Sequence, residues 1–254
     1  MSSCDMFKSF QKAVVFAHRG ACAHAPENTI SSFELAVEHL ADAVELDAKL
    51  SMDGQVMVIH DQTVDRTTDG HGSVNEMTCA ELKNLDAGSK FNSKYAGEKI
   101  PTLDEVFEHV GQKLFVNVEL TNYGSRNDDL VEKVVQVVKR QNMQGRVLFS
   151  SFLPKNLKIA QQLLPDTPVA ILCLPGIGGV ITRSSLLRTT SPEIIHPYLA
   201  DVNKGFVNRE HKNGRRVHVW TVNLEADLKR MLSLGVDGIF TDDPQKARKL
   251  IANS

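Results

Sequence analysis

Short apolar, β-branched runs alternate along the chain with longer stretches whose apolar positions recur every three or four residues. The first kind reads as buried strand and the second as amphipathic helix. Strands are predicted at 13–18, 43–50, 114–120, 147–151, 169–174, 193–196, 217–222 and 238–241. Helices are predicted at 30–40, 128–141, 154–164, 180–187, 202–212, 225–234 and 244–251. Asn213-Gly214 and Gly235 stop the helices that precede them, and Gly145 marks the turn before its strand. Alternation of this kind implies a parallel sheet. Eight such strands fit a closed (β/α)8 TIM barrel of the α/β class, in which function sits at the C-terminal strand ends.

One region breaks the alternation. The run 43–50 is followed by Met52-Asp53-Gly54-Gln55 and a second strand at 56–60, with no room for a helix. Asp-Gly between two strands signals a tight antiparallel hairpin. With Asp53 and Gly54 as the two loop residues, Met52 pairs with Gln55 and Asp47 faces His60. Glu45 shares that face, because side chains alternate with period two. Residues 61–100 then read as a small inserted subdomain within a single domain spanning 1–254. It holds a polar loop, TTDGHGSV, and a short helix near 79–85. Thr102 and Glu105 form a capping box that starts the next helix and returns the chain to the barrel.

A chain of 254 residues with 42% hydrophobic content can bury one large core. The net charge of -2 gives no electrostatic case for a nucleic-acid partner. No run approaches a membrane span, and the polar N-terminus lacks the apolar core of a signal peptide. Cys4, Cys22, Cys79 and Cys173 are scattered, as expected of reduced thiols in a cytoplasmic protein.

Chemistry concentrates at the strand ends. The first strand runs into His18 and Arg19, then His24 and the sequence Pro26-Glu27-Asn28-Thr29. Glu45-x-Asp47 places two carboxylates on one strand face, and Glu119 ends another strand. Three carboxylates meeting at a barrel mouth need raised pKa values or a cation between them. Oxygen-only ligands suit Mg²⁺ or Ca²⁺, with structural ion pairs to Arg or Lys as the competing account. His18 and His60, both at strand ends, suit general acid–base work, and Arg19 suits an anion such as phosphate. Cys22 reads as a small packed thiol rather than a nucleophile. His39 and His109 lie near helix ends, His71 in a loop and His211 on a helix surface, whereas His24 and His196 sit near strand-end loops and stay open. Trp220 suits either core packing or a pocket wall.

The segments AHRGACAHAPENT, VELDAKLSMDGQVMVIHDQTVDRTTDGHG, IPTLDEVF, VNVEL, VHVWTVN and GVDGIFTDDP, in that order, resemble the glycerophosphodiester phosphodiesterase family over nearly the whole chain. The resemblance implies a (β/α) barrel with an inserted subdomain, a divalent cation (Mg²⁺ or Ca²⁺, with Mn²⁺ as a third option) and a small-molecule substrate. The implied reaction is hydrolysis of glycerophosphodiesters, such as glycerophosphocholine or glycerophosphoethanolamine, to an alcohol and sn-glycerol 3-phosphate. By that resemblance His18 and His60 are the acid–base pair and Arg19 contacts phosphate. Glu45, Asp47 and Glu119 hold the metal, Glu27 and Asn28 shape the site, and Trp220 lies near the glycerol. One position departs from the family pattern. Thr121 stands where E-x-K would place a lysine, so the phosphate clamp would need a cation from elsewhere, such as Lys204. Two alternatives remain open: a lysophospholipase D-like enzyme, for which LCLPGIGGVI is apolar enough, and a non-catalytic polyol-phosphate binding barrel.

Overall fold

A ring of parallel strands organises the molecule, seen in a computed structural model that describes residues 10, 12–125, 127–184, 188–191 and 193–252. The strand β1 (Val14–His18) pairs on one side with β2 (Ala43–Leu50). The ring continues through β4 (Phe115–Leu120), β5 (Val147–Ser151), β6 (Val169–Leu172), β7 (Ile194–His196), β8 (Arg216–Val219) and β9 (Gly238–Thr241). It closes where β9 pairs with the other edge of β1. Closure removes the open strand edges that an unrolled sheet would expose. The fold is therefore the expected (β/α)8 TIM barrel, and β2 is buried along nearly its whole length because side chains cover both of its faces.

Helices α1 (Ile30–Glu38), α3 (Leu103–Val110), α4 (Leu130–Arg140), α5 (Pro154–Leu163), α6 (Lys204–Lys212), α7 (Glu225–Leu234) and α8 (Pro244–Ala252) surround the ring. Local signals set their ends. Thr102 and Glu105 form the expected reciprocal capping box, with the Thr102 N–H donating to Glu105 Oε2 at 2.7 Å. Gly235 terminates α7 in the left-handed region at φ 76°. The β6–β7 connection departs from expectation. Instead of a helix at 180–187, Gly176–Gly179 forms a 3-10 turn and 180–184 follow as turns, while 185–187 lie outside the described residues. The Arg183 guanidinium clamps this segment by donating to Leu174 O and Gly176 O and pairing with Asp201. A Cβ on Gly179 would stand 1.8 Å from Leu174 O, so the close approach requires glycine.

The hairpin is also offset by one residue from the expected register. Strand β3 (Val56–Val58) pairs antiparallel with β2 through Ala48↔Val58, Lys49↔Met57 and Leu50↔Val56. The loop is therefore three residues, Met52 to Gly54, and Asp47 O accepts from Ile59 N rather than facing His60. The longer turn has a local cause. Ser51 Oγ accepts from Gln55 N and donates to Asp53, Asp53 accepts from Cys79 N, and Gly54 takes φ 76°. Beyond β3, residues 61–100 carry α2 (Cys79–Asn84) and two 3-10 turns. Val64, Val74, Leu82, Ala87 and Ile100 pack there against Met57 and Ile59.

Two histidines occupy the barrel interior among aromatic rings. Phe16 and Phe240 stack at 4.5 Å, and His196 and His218 lie 5.3 Å apart, both fully buried. Neither ring nitrogen of His196 has a hydrogen-bond partner, and burial pushes its pKa down to about 3. A folded-state pKa below the unfolded value of 6.5 means that the unfolded chain binds the extra proton. Stability is then full above that value and falls as pH drops from 6.5 towards 3. The slope from this one group is about 1.4 kcal/mol per pH unit. His196→Leu is expected to remove that share of the acid-side decline, read by urea unfolding at a series of pH values. Parallel slopes in the two proteins would assign the acid sensitivity to other groups.

Candidate active site

Register places the acids before any side chain is considered. Across β1, β2 and β4, His18 pairs with Glu45 and Glu45 with Asn117, and one pleat further on Asp47 pairs with Glu119. One ligand oxygen from each of Glu45, Asp47 and Glu119 lies within 4.8 Å of the others. Burial, and then the charges of Asp47 and Glu119, push the Glu45 carboxyl well above its ordinary range. Burial and Asp47 do the same to Glu119, against the pull of the hydroxyl hydrogen bond from Tyr123 at 2.7 Å. Glu45 and Glu119, both held against ionisation, call for a countercharge, and an all-oxygen donor set with Asp47 fits a hard divalent cation.

The chain after β1 is bent to surround this cluster. Arg19 (φ 54°) and Asn28 (φ 56°) both occupy the left-handed region, which is costly for non-glycine residues. Their contacts hold them there. The Arg19 N–H donates to Glu45 Oε2 at 3.0 Å, and Asn28 N donates to Arg19 O at 3.0 Å. The Asn28 amide donates to Asp47 Oδ2 at 2.9 Å. Arg19 Nη1 donates to Glu27 Oε1 at 2.9 Å, and its Nε stands 3.4 Å from Asp47. Burial disfavours the Arg19 charge, but Asp47, Glu27 and Glu45 outweigh it and raise its pKa. Gly20 makes the turn possible, since a Cβ there would meet Ser32 Oγ at 2.3 Å.

A cavity of about 540 Å³, counting its open mouth, is lined by His18, Arg19, Glu45, His60, Glu119 and Trp220. Asn117, Phe152, Leu172, Thr221 and Phe240 complete the wall. Asp47, Glu27 and Asn28 stand directly behind it, bonded to Arg19 or to one another. All nine residues singled out in the sequence therefore converge, His60 among them despite the shifted hairpin. The Trp220 indole donates to His196 O at 2.8 Å and meets Phe152 edge-on at 5.8 Å.

Each cavity histidine is backed by a carboxylate. His18 Nδ1 lies 2.7 Å from Asp242 Oδ1, and His60 Nδ1 lies 2.6 Å from Asp61 Oδ1. Asn223 and Cys22 also bond Asp242, whose pKa stays low despite burial because of His18. Arg66 holds Asp61 in its ionised form through a hydrogen bond, against the cost of burial. Each ring therefore donates from Nδ1 and keeps Nε2 for exchange with a ligand. Asp242, Arg66 and Tyr123 were not singled out in the sequence. Asp242 was within reach of the rule that barrel function lies at C-terminal strand ends, since it follows β9 directly. Burial and Asp242 push the Cys22 thiol up, which disfavours the thiolate a nucleophile needs.

The sequence pattern of the "Glycerophosphoryl diester phosphodiesterase family" matches residues 18–246. The chain belongs to that family. It is 42% identical over 241 residues to a glycerophosphodiester phosphodiesterase of Caldanaerobacter subterraneus subsp. tengcongensis, covering 94% of this chain and 98% of the relative. A glycerophosphodiester phosphodiesterase of Bacillus altitudinis is 39% identical, with 93% and 97% covered. The solved structure of an Oleispira antarctica phosphodiesterase, in complex with the product sn-glycerol-3-phosphate, superposes with a TM-score of 0.89. It is 31% identical and matches 100% of both chains.

Within the glycerophosphoryl diester phosphodiesterase fold, the Thr121 departure has a structural counterpart. Lys204 does not approach it, since its ammonium donates to Leu234 O on the surface. Lys49 does. It lies two residues beyond Asp47, is buried, and donates to Thr121 Oγ1 at 2.7 Å and Thr121 O at 3.1 Å. A cation thus stands beside Thr121, delivered from the neighbouring strand. Thr121→Lys would therefore remove an acceptor from Lys49 and set a second ammonium against it. The cost is expected to be at least about 1–3 kcal/mol. Exchanging the two positions, Lys49→Thr with Thr121→Lys, should recover most of the loss in a double-mutant cycle. Additive losses in thermal unfolding would show that the two sites are uncoupled.

Proposed function

We propose that the protein hydrolyses glycerophosphodiesters to an alcohol and sn-glycerol 3-phosphate. In this reading Glu45, Asp47 and Glu119 hold a divalent cation, and His18 and His60 exchange protons. The observation that carries it is one cavity walled by two carboxylate-backed histidines, an anchored arginine and a cluster of three acids. When bound, a hard cation there offsets phosphate charge and lowers the pKa of a substrate hydroxyl it touches.

Arg19 presents its guanidinium to the phosphate, fixed in place by Glu27 and Asp47. Trp220 and Phe152 give the substrate carbons an apolar wall. One histidine takes the proton of the attacking hydroxyl at Nε2, and the other donates a proton to the leaving alcohol. With both histidines given to proton exchange, the attacking oxygen in this reading comes from substrate or water. In a glycerophosphodiester the glycerol 2-hydroxyl is already beside the phosphorus. Intramolecular attack gains an effective molarity of roughly 10⁵–10⁸ M in favourable cases. That oxygen bonds phosphorus as the ester bond to the alcohol breaks, and water then opens the cyclic phosphate with the histidine roles exchanged.

A second reading draws on the β6–β7 turn, where Leu174, Ile177, Val180 and Ile181 are exposed, Ile177 by 93%. That surface suits substrates that retain an acyl chain, as lysophospholipids do. A panel of glycerophosphodiesters and lysophospholipids, assayed with and without EDTA, separates the two readings. Glycerophosphodiesters are expected to be cleaved only with Mg²⁺, Mn²⁺ or Ca²⁺ present. Turnover by metal-stripped protein would refute the cation's role, and preferential cleavage of lysophospholipids would favour the second reading. Binding without turnover would mark a non-catalytic barrel.

His18→Ala and His60→Ala are each expected to lower kcat by roughly 10²–10⁴-fold with the fold retained. A loss under about tenfold would remove that histidine from proton transfer. A substrate lacking the 2-hydroxyl should bind without being cleaved, whereas cleavage at the parent rate would assign the attack to water.

A further inference from the structure

Beside the cavity, a second set of donors converges where the loop after β1 meets the start of α8. His24 Nε2 lies 3.3 Å from Asp243 Oδ2, and the rings of His24 and His39 meet edge-on at 5.3 Å. One ligand atom from each of His24, His39 and Asp243 lies within 4.8 Å of the other two. The three come from separate parts of the chain. His24 belongs to the loop that carries Arg19, His39 caps the C-terminus of α1, and Asp243 precedes Pro244 at the start of α8. His39 Nδ1 is buried and has no hydrogen-bond partner, although buried polar atoms are nearly always satisfied.

The chemistry of this set differs from that of the three acids. Two imidazoles and one carboxylate suit zinc and its neighbours, whereas oxygen alone suits magnesium or calcium. Two ligands at about 2.0–2.1 Å on a tetrahedral centre stand roughly 3.3 Å apart. His24 and Asp243 already have that separation, and a donor atom of His39 lies within 4.8 Å of both.

We propose that His24, His39 and Asp243 form a zinc-class site, distinct from the carboxylate cluster, that clasps the loop after β1 to the start of α8. Its position gives it a consequence for the cavity. Asp243 follows Asp242, the partner of His18, and Ala23 N donates to Asp242 O at 3.0 Å. The clasp therefore tightens the two segments that flank His18.

The test is zinc binding to the whole protein with Mg²⁺ in excess to fill the carboxylate cluster. Bound metal is measured by equilibrium dialysis and elemental analysis, and thermal unfolding is followed in parallel. One zinc per chain is expected, with a rise in the unfolding midpoint that grows with free zinc. His24→Gln and His39→Gln should each weaken zinc binding by about tenfold or more and abolish the rise. Their Mg²⁺-supported turnover should stay near that of the unaltered protein. His18, Cys22 and Asp242 also lie within 4.8 Å of one another and are the competing zinc site. Cys22→Ser is therefore expected to keep the zinc. Absence of bound zinc, zinc retained by His39→Gln, or zinc released by Cys22→Ser would each overturn the proposal.

Discussion

Asp47 and Glu119 are neighbours because β2 and β4 run parallel in one register, and Glu45 joins them one pleat away. No loop rearrangement can separate them without unpairing the ring. Their mutual repulsion, sharpened by burial, is the constraint to which the surrounding structure responds. Arg19 and Asn28 pay part of the cost by sitting in a strained backbone region, from which an N–H and an amide reach Glu45 and Asp47. The Tyr123 hydroxyl meets Glu119, and Lys49 adds positive charge from beyond Asp47. None of these groups cancels the cluster, whose three acids could hold a metal ion.

The barrel was legible in the sequence because period-two and period-3.6 patterns are strong over elements of this length. The candidate site was legible for a related reason: its residues end strands, and a parallel barrel delivers every strand end to one mouth. What escaped was set by interactions across the chain. The hairpin register depended on Cys79 N reaching Asp53, which no local pattern records. Lys49 could be read as one more residue on the inner face of β2, but not as the partner of Thr121, because that contact spans two strands. The β6–β7 segment looked helical from its apolar spacing, yet Arg183 stabilises a glycine turn there instead. In each case a tertiary hydrogen bond outweighed a local preference.

The two histidines share chemistry but are anchored differently. Asp242 directly follows β9 and is held by Asn223 and Cys22, so His18 is anchored to the barrel frame. Asp61 is held by Arg66, from the segment that follows β3, and its His60 ring is 42% exposed against 21% for His18. Arg66 also donates twice to Glu27, the residue that anchors Arg19. The Glu27 carboxylate remains ionised despite burial because Arg66 and Arg19 both bond it.

This shared carboxylate ties three roles into one network. A continuous chain of hydrogen bonds runs from Arg19 through Glu27, Arg66 and Asp61 to His60. The segment 61–100 therefore does more than cover one side of the barrel, since Arg66 orients a histidine that the barrel strands alone would leave loose. His60 is the less enclosed of the two rings, while the partner of His18 follows β9 directly. For the hydrolysis proposed above, that inequality suits a substrate that must enter, turn over and leave past one ring.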